Sequence, residues 1–187
     1  MKKYLLNPFV IIAGIIAISF LFICNLTVPH EAKAQDEIPE RLKYFKEKYE
    51  ENFESDFEKV WNTVKKFVIE NGCQISNERV RENDIGKQRG ICQTELCILA
   101  QHKDSTFRLI RRYALDPPFI RGGVWTSVRM EYRFIVNDLG DGQVNVVLRG
   151  ELSGFENHAT FKAHFFQSNG LLEFMAFERI REMLLET

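Results

Sequence analysis

The stretch Val124-Trp125-Thr126-Ser127-Val128-Arg129-Met130-Glu131-Tyr132-Arg133-Phe134-Ile135-Val136 decides the fold. Its residues alternate with the period of two that belongs to an extended strand, so Val124, Thr126, Val128, Met130, Tyr132, Phe134 and Val136 share one face. The other face, Trp125, Ser127, Arg129, Glu131, Arg133 and Ile135, reads as largely wet. Asn137 to Gly142 supplies turn residues, and Gln143 to Ser153 returns with Val144, Val146, Leu148 and Leu152 inward. Gly150 interrupts that inner row, which predicts a bulge or a sharper curvature there.

Shorter strands precede this hairpin. Cys73-Gln74-Ile75 opens one, Asn83-Asp84-Ile85-Gly86 turns it into a second around Lys87 to Cys92, and a third runs from Leu96 to Gln101. Phe107, Leu109, Tyr113 and Leu115 alternate and predict a further strand ended by Pro117-Pro118. Arg111 shares the period of that apolar row, and a buried arginine needs a partner. Ahead of the strands, Ser55-Asp56-Phe57-Glu58 is a capping box. Phe57, Val60, Trp61, Val64 and Val68 follow on one helix face, closed by Asn71-Gly72. After the hairpin come a strand near Ala159 to Phe166 and, from Ser168-Asn169-Gly170, a helix carrying Leu171, Phe174, Phe177, Ile180 and Leu184. The predicted class is α+β: a curved antiparallel sheet of about six strands gripping the C-terminal helix, preceded by an N-terminal amphipathic helix.

The first 34 residues read as a signal peptide. Lys2 and Lys3 precede an apolar run from Phe9 to Ile23, short of the roughly 20 residues that span a bilayer, and Ala32-Lys33-Ala34 offers a cleavage site before Gln35. An uncleaved anchor facing the periplasm is the alternative. Cys24 lacks the small preceding residue of a lipidation site, because Ile23 is large and β-branched. The expected location is therefore periplasmic or secreted. Residues 35–54 read as a charged helical lead-in, with Leu42, Phe45, Tyr49 and Phe53 spaced along one helix face, and residues 55–187 as a single domain. The chain holds 25 Lys and Arg against 26 Asp and Glu, and losing Lys2, Lys3, Lys33 and Glu31 leaves 22 against 25. That balance lacks the basic excess a nucleic-acid partner requires. With 45% hydrophobic residues, including 16 Phe, one sizeable core is expected.

The element order from Ser55 to Leu185 resembles the helix-grip superfamily, known from START-like and Bet v1-like domains and, in the bacterial envelope, from the small domains of the NlpB-type outer-membrane assembly lipoprotein. The segment Ser168-Asn169-Gly170-Leu171-Leu172-Glu173 is similar to a feature of exported bacterial proteins of this general type. The resemblance implies the fold and an apolar or lipid-like ligand between sheet and last helix, and it carries over no functional residue. The facing apolar surfaces would place Met130, Tyr132 and Phe134 opposite Phe174, Phe177 and Ile180, with Arg111 or Tyr132 orienting a headgroup. A non-catalytic envelope module that binds a protein partner is the alternative, and a cyclase-like enzyme ranks last, because the inner rows are almost wholly apolar.

No catalytic residue, metal or cofactor is assigned. Cys92 and Cys97 would face one another across a four-residue loop, and an oxidising destination favours their disulfide, with buried free thiols or a pairing of Cys73 as the alternatives. His102 completes only a loose Cys-x4-Cys-x4-His spacing, short of the convergent ligands zinc needs. Glu156 beside His158 reads as a solvated pair rather than an acid-base device. His158 and His164 would share one strand face too far apart to act together. Arg108, Arg111, Arg112, Arg129 and Arg133 fall on neighbouring predicted strands and are expected to pair across strands with Glu131 and Glu151, the alternative being an anionic headgroup site.

Overall fold

The computed structural model describes residues 40–101 and 106–186. The signal-peptide and cleavage expectations and His102 lie outside the described residues. Among the described residues seven strands form one antiparallel sheet: β1 Tyr49–Glu54, β2 Ile75–Glu82, β3 Gln88–Thr94, β4 Cys97–Gln101, β5 Trp125–Gly140, β6 Gln143–Glu156 and β7 Lys162–Phe166. Three α-helices of the described residues accompany it: α1 Phe57–Glu70, α2 Thr106–Tyr113 and the C-terminal α3 Leu171–Leu185. Among the described residues no helix is long and apolar enough to cross a membrane.

The hairpin β5–β6 is the spine, as the alternation requires. From Val128 to Val136 every second residue is buried, and Val144, Val146, Leu148 and Leu152 meet them from β6. The strands outrun the expected loop, because Asp141 and Gly142 alone make the turn, both with positive φ, 53° and 70°. A positive φ at both central residues gives the turn whose twist matches that of the strands. At the other end a register shift between Trp125 and Ser127 reverses the expected phase. Trp125 therefore turns inward against Phe166 and Val124 outward, since a bulge inserts one residue and inverts everything beyond it.

Each long strand is shared by two short ones placed end to end. β3 and β4 divide the free edge of β5, while β1 and β7 divide that of β6. In the break between β3 and β4, the Thr94 hydroxyl accepts the Tyr132 backbone N–H at 2.9 Å, satisfying a buried donor that no strand reaches. The inner face is covered by α1 and α3 together. Phe67 of α1 stands edge-on to Tyr132 and Phe134 with centroids 6.1 and 5.8 Å away, and Trp61 lies on Gly90, where an added Cβ would come within 2.6 Å of its ring.

Several local expectations are corrected. Tyr49 to Glu54 is a strand and not a continuation of a helical lead-in, whose described part holds only a 3-10 turn, Glu40–Leu42. The spacing of four between Tyr49 and Phe53 suits either element, and pairing with the open edge of β6 settles it. The capping box does not form: α1 starts with Asp56 as N-cap, and the Asp56 side chain makes no cap bond. Its C-terminus closes as expected through Gly72 (φ 68°), with Gly72 N donating to Ile69 O and Cys73 N to Val68 O.

The segment around Arg111 is helix α2 rather than a strand. Thr106 and Ile110 are buried four apart, and that spacing won over the alternation of Phe107 and Leu109. Arg111 is consequently exposed. The expected disulfide is also different, since Cys97 bonds Cys73 and Cys92 is a buried free thiol. Instead of turning back after β3, the chain continues along β5, so Cys92 lies opposite Phe134 and Cys97 opposite Met130. β2 runs the other way with Ile75 opposite Thr94, which brings Cys73 alongside Cys97 with Cα atoms 4.9 Å apart. Burial, then the charge of Glu78, pushes the Cys92 thiol up to about 11.

Candidate functional site

Where α3 begins, the sheet has a gap. β1 begins opposite Leu148 and β7 ends opposite Leu152, so residues 149–151 of β6 have β5 on one side and no strand on the other. A cleft of about 460 Å³ opens there, bounded by the 45–49 segment ahead of β1, by Arg149 and Gly150 of β6, and by Gln167 and Ser168 after β7.

The Ser168-Asn169-Gly170 segment sets the start of α3 against this cleft. Asn169 is held from both sides, its N–H donating to Tyr113 O at 2.8 Å and its side chain to Arg112 O at 2.8 Å, while its Oδ1 accepts Leu171 N at 3.1 Å. Gly170 (φ 86°) lies under the 44–49 segment, where an added Cβ would fall 2.7 Å from the Tyr44 carbonyl carbon. Only glycine fits both the backbone conformation and the contact.

In the first turn of the helix, Glu173 points into the protein with 1% of its surface exposed and lines the cleft. Burial pushes its carboxyl above the usual carboxylate range, partly opposed by the Ser168 hydroxyl, which donates to Oε2 at 2.7 Å, and by its own backbone N–H. Gly150 makes room for it: a Cβ there would lie 2.6 Å from Oε1 and closer still to the Met130 methyl. The pairing of Tyr132 with Gly150 runs without a register shift, so the gap in the inner row serves this carboxyl and not a bulge. Burial also raises the phenols of Tyr49 and Tyr132, and the charge of Glu173 adds to each. The arrangement can keep a carboxylic acid uncharged and able to donate a proton in a hydrogen bond at the floor of a cleft.

A second cleft of about 320 Å³ shares Lys46 and Tyr49 with the first and is lined by Phe174 and Phe177. Phe174 is 43% exposed and packs on Tyr44 with centroids 4.8 Å apart, so it does not belong to the core face of α3. That face is Leu172, Glu173, Ala176, Phe177, Ile180 and Met183. The predicted ligand residues are therefore divided. Met130 and Tyr132 sit beside Glu173, Phe174 and Phe177 line the second cleft, Phe134 and Ile180 are fully buried in the core, and Arg111 lines neither cleft.

Sequence reasoning missed Glu173, Ser168, Tyr49 and the purpose of Gly150. A signal existed, because Glu173 precedes Phe177 by four and Ile180 by seven, which puts a lone acid in the apolar stripe of the last helix. Glu156 was misread in another way. It is buried, not solvated, and accepts the backbone N–H groups of Val124, His158, Ala159 and Thr160 at 2.5 to 3.0 Å and the Thr160 hydroxyl at 2.8 Å. Burial pushes this carboxyl up, but those donors outweigh it and hold it well below the ordinary range. His158 lies in the turn ahead of β7, so it shares no strand face with His164. On the outer sheet face the register sets Arg133 opposite Arg149 and Glu131 opposite Glu151, so like faces like instead of the expected pairing. Glu131 accepts from Gln93 Nε2 at 2.6 Å, and among the described residues the Nε atoms of Arg129 and Arg133 have no hydrogen-bond partner.

No protein-family model, curated protein or solved structure matches this chain.

Proposed function

We propose that the domain binds a small amphipathic molecule, with the polar end at Glu173 in the gap between β1 and β7. The observation that carries this reading is a buried acid lining a cleft of about 460 Å³. A stability argument alone would place an apolar side chain there, because a desolvated carboxyl is costly unless fully bonded. Lys48 is paired with Glu50 at 2.6 Å, and Lys46 and Arg149 on the walls still outnumber Glu47, which disfavours a cationic ligand and suits one with acceptor oxygens. Phe45 and Leu148 offer apolar contact for the remainder. This keeps the apolar-ligand expectation of the helix-grip resemblance but moves the site from the centre of the sheet to its open edge. An exported, non-enzymatic carrier or sensor is the class of protein this reading supports.

The test is a titration with an anionic fluorescent amphiphile, 8-anilinonaphthalene-1-sulfonate, displaced by dodecanoate. Saturable binding that falls by about tenfold in Glu173→Leu, where the hydrogen-bond donor is lost but the bulk is kept, is the expected outcome, corresponding to about 1.4 kcal/mol. Absence of saturable binding to the parent protein, or equal binding by Glu173→Leu, refutes the assignment.

A further inference from the structure

The turn that Glu156 organises presents a second surface, unrelated to the cleft. Five donors converge on its carboxylate, Val124 N from one loop and His158, Ala159, Thr160 N–H and the Thr160 hydroxyl from another. Asn157 N also donates to Val124 O at 2.8 Å, so the end of the 117–124 loop is pinned where the 157–161 turn begins. The loops so fixed carry apolar side chains outward. Phe119, following Pro117-Pro118, is 87% exposed; Phe161 is 65% exposed; and Phe165, on the edge strand β7, is 64% exposed. Phe161 has a φ of 52°, a left-handed conformation that bulky residues rarely take, and the Glu156 bonds immediately before it hold the turn in place.

The charge around these rings is of one sign. In a chain with 26 acidic residues, neither 117–124 nor 157–167 contains Asp or Glu. Both carry cations, Arg121 in the first and Lys162 in the second, and both of these are exposed. Glu156 itself is buried and taken up by its donors. Across the outer face, the half-buried Arg129 shares a row with Ser153 and Phe165, its Nε buried and without a partner among the described residues. The nearest acids along the chain and the sheet, Asp116 and the Glu131–Glu151 pair, flank this surface without entering either segment.

We infer that this end of the molecule docks on an anionic lipid surface, with Phe119, Phe161 and Phe165 entering the headgroup boundary and Arg121, Lys162 and Arg129 meeting lipid phosphates. Phenylalanines presented singly on two loops and a strand edge suit insertion among lipids, and the cations complement an anionic headgroup layer. A protein partner would favour a contiguous apolar patch, and a second copy of this chain would bring Arg121 and Lys162 against like charges.

Hydrogen exchange on the full chain, with and without vesicles of phosphatidylglycerol and phosphatidylethanolamine, tests this. The readout is local, so any insertion of the apolar run Phe9 to Ile23 does not contribute to it. Exchange in 117–124 and 157–166 should slow with these vesicles and not with phosphatidylcholine alone. The effect should weaken by about tenfold in a Phe119→Ser, Phe161→Gly, Phe165→Ser variant. Glycine at 161 accepts the positive φ, so that position cannot act through misfolding. Unchanged exchange with the anionic vesicles, equal protection by both vesicle types, or concentration-dependent protection without vesicles overturns the inference, the last in favour of self-association.

Discussion

Two buried carboxyls in this domain have opposite electrostatics, and each gives a pH signature. Glu156 is held below its ordinary value of 4.5 by converging N–H donors, so its contribution to stability is present above that value and is lost as pH falls through the lowered one. Acid unfolding should therefore begin near the 117–124 and 157–161 loops. Glu156→Gln should lower the thermal midpoint at pH 7, and that deficit should shrink in acid. No loss at pH 7 would show that the five donors do not depend on the charge. Glu173 is displaced upward from 4.5, so its contribution is present below that value and lost as pH rises through the raised one. Glu173→Gln should accordingly match the parent in acid and exceed it in stability above the raised value. Gly170→Ala should cost about 2–4 kcal/mol in denaturant unfolding, since it combines a left-handed penalty with a collision against the Tyr44 carbonyl.

At the scale of elements, what was legible depended on how many residues repeated a pattern. The β5–β6 hairpin was readable because alternation runs unbroken from Val128 to Val136, and α1 because Val60, Trp61, Val64 and Val68 keep a helical period. α2 was not, because over eight residues Phe107 and Leu109 mimic a strand while Thr106 and Ile110 form the true face. The disulfide depended on chain path, which local spacing does not encode: had β4 folded back on β3, Cys92 would have met Cys97. Peptide mapping without reduction should link Cys73 to Cys97, and Cys92 should alkylate only after unfolding. Removing that bridge, which closes a separation of 24 residues, should cost about 3 kcal/mol. The site was the least legible part. An acid in the first turn of a helix is favoured by the helix dipole alone, so Glu173 drew no notice until tertiary structure buried it beside Gly150.

Across the whole molecule, the helices and the sheet divide the labour. α1 and α3 close the inner face over Phe134 and Ile180, both fully buried, so Ile180→Trp should overpack and lose about 1–3 kcal/mol. Stability unchanged by that substitution would mean that a cavity remains beneath α3. The sheet edge stays open where β1 and β7 fail to meet, and the start of α3 fills the floor of that gap with a carboxyl instead of an apolar group. The proposed function rests on that carboxyl being uncharged and reachable from the cleft. Carbon-13 NMR of the Glu173 side-chain carboxyl, followed through a pH titration with and without dodecanoate, measures both properties at the one atom concerned. The expected result is an inflection above 4.5 that moves further upward when the amphiphile binds. An inflection at or below 4.5, insensitive to the amphiphile, would contradict the account.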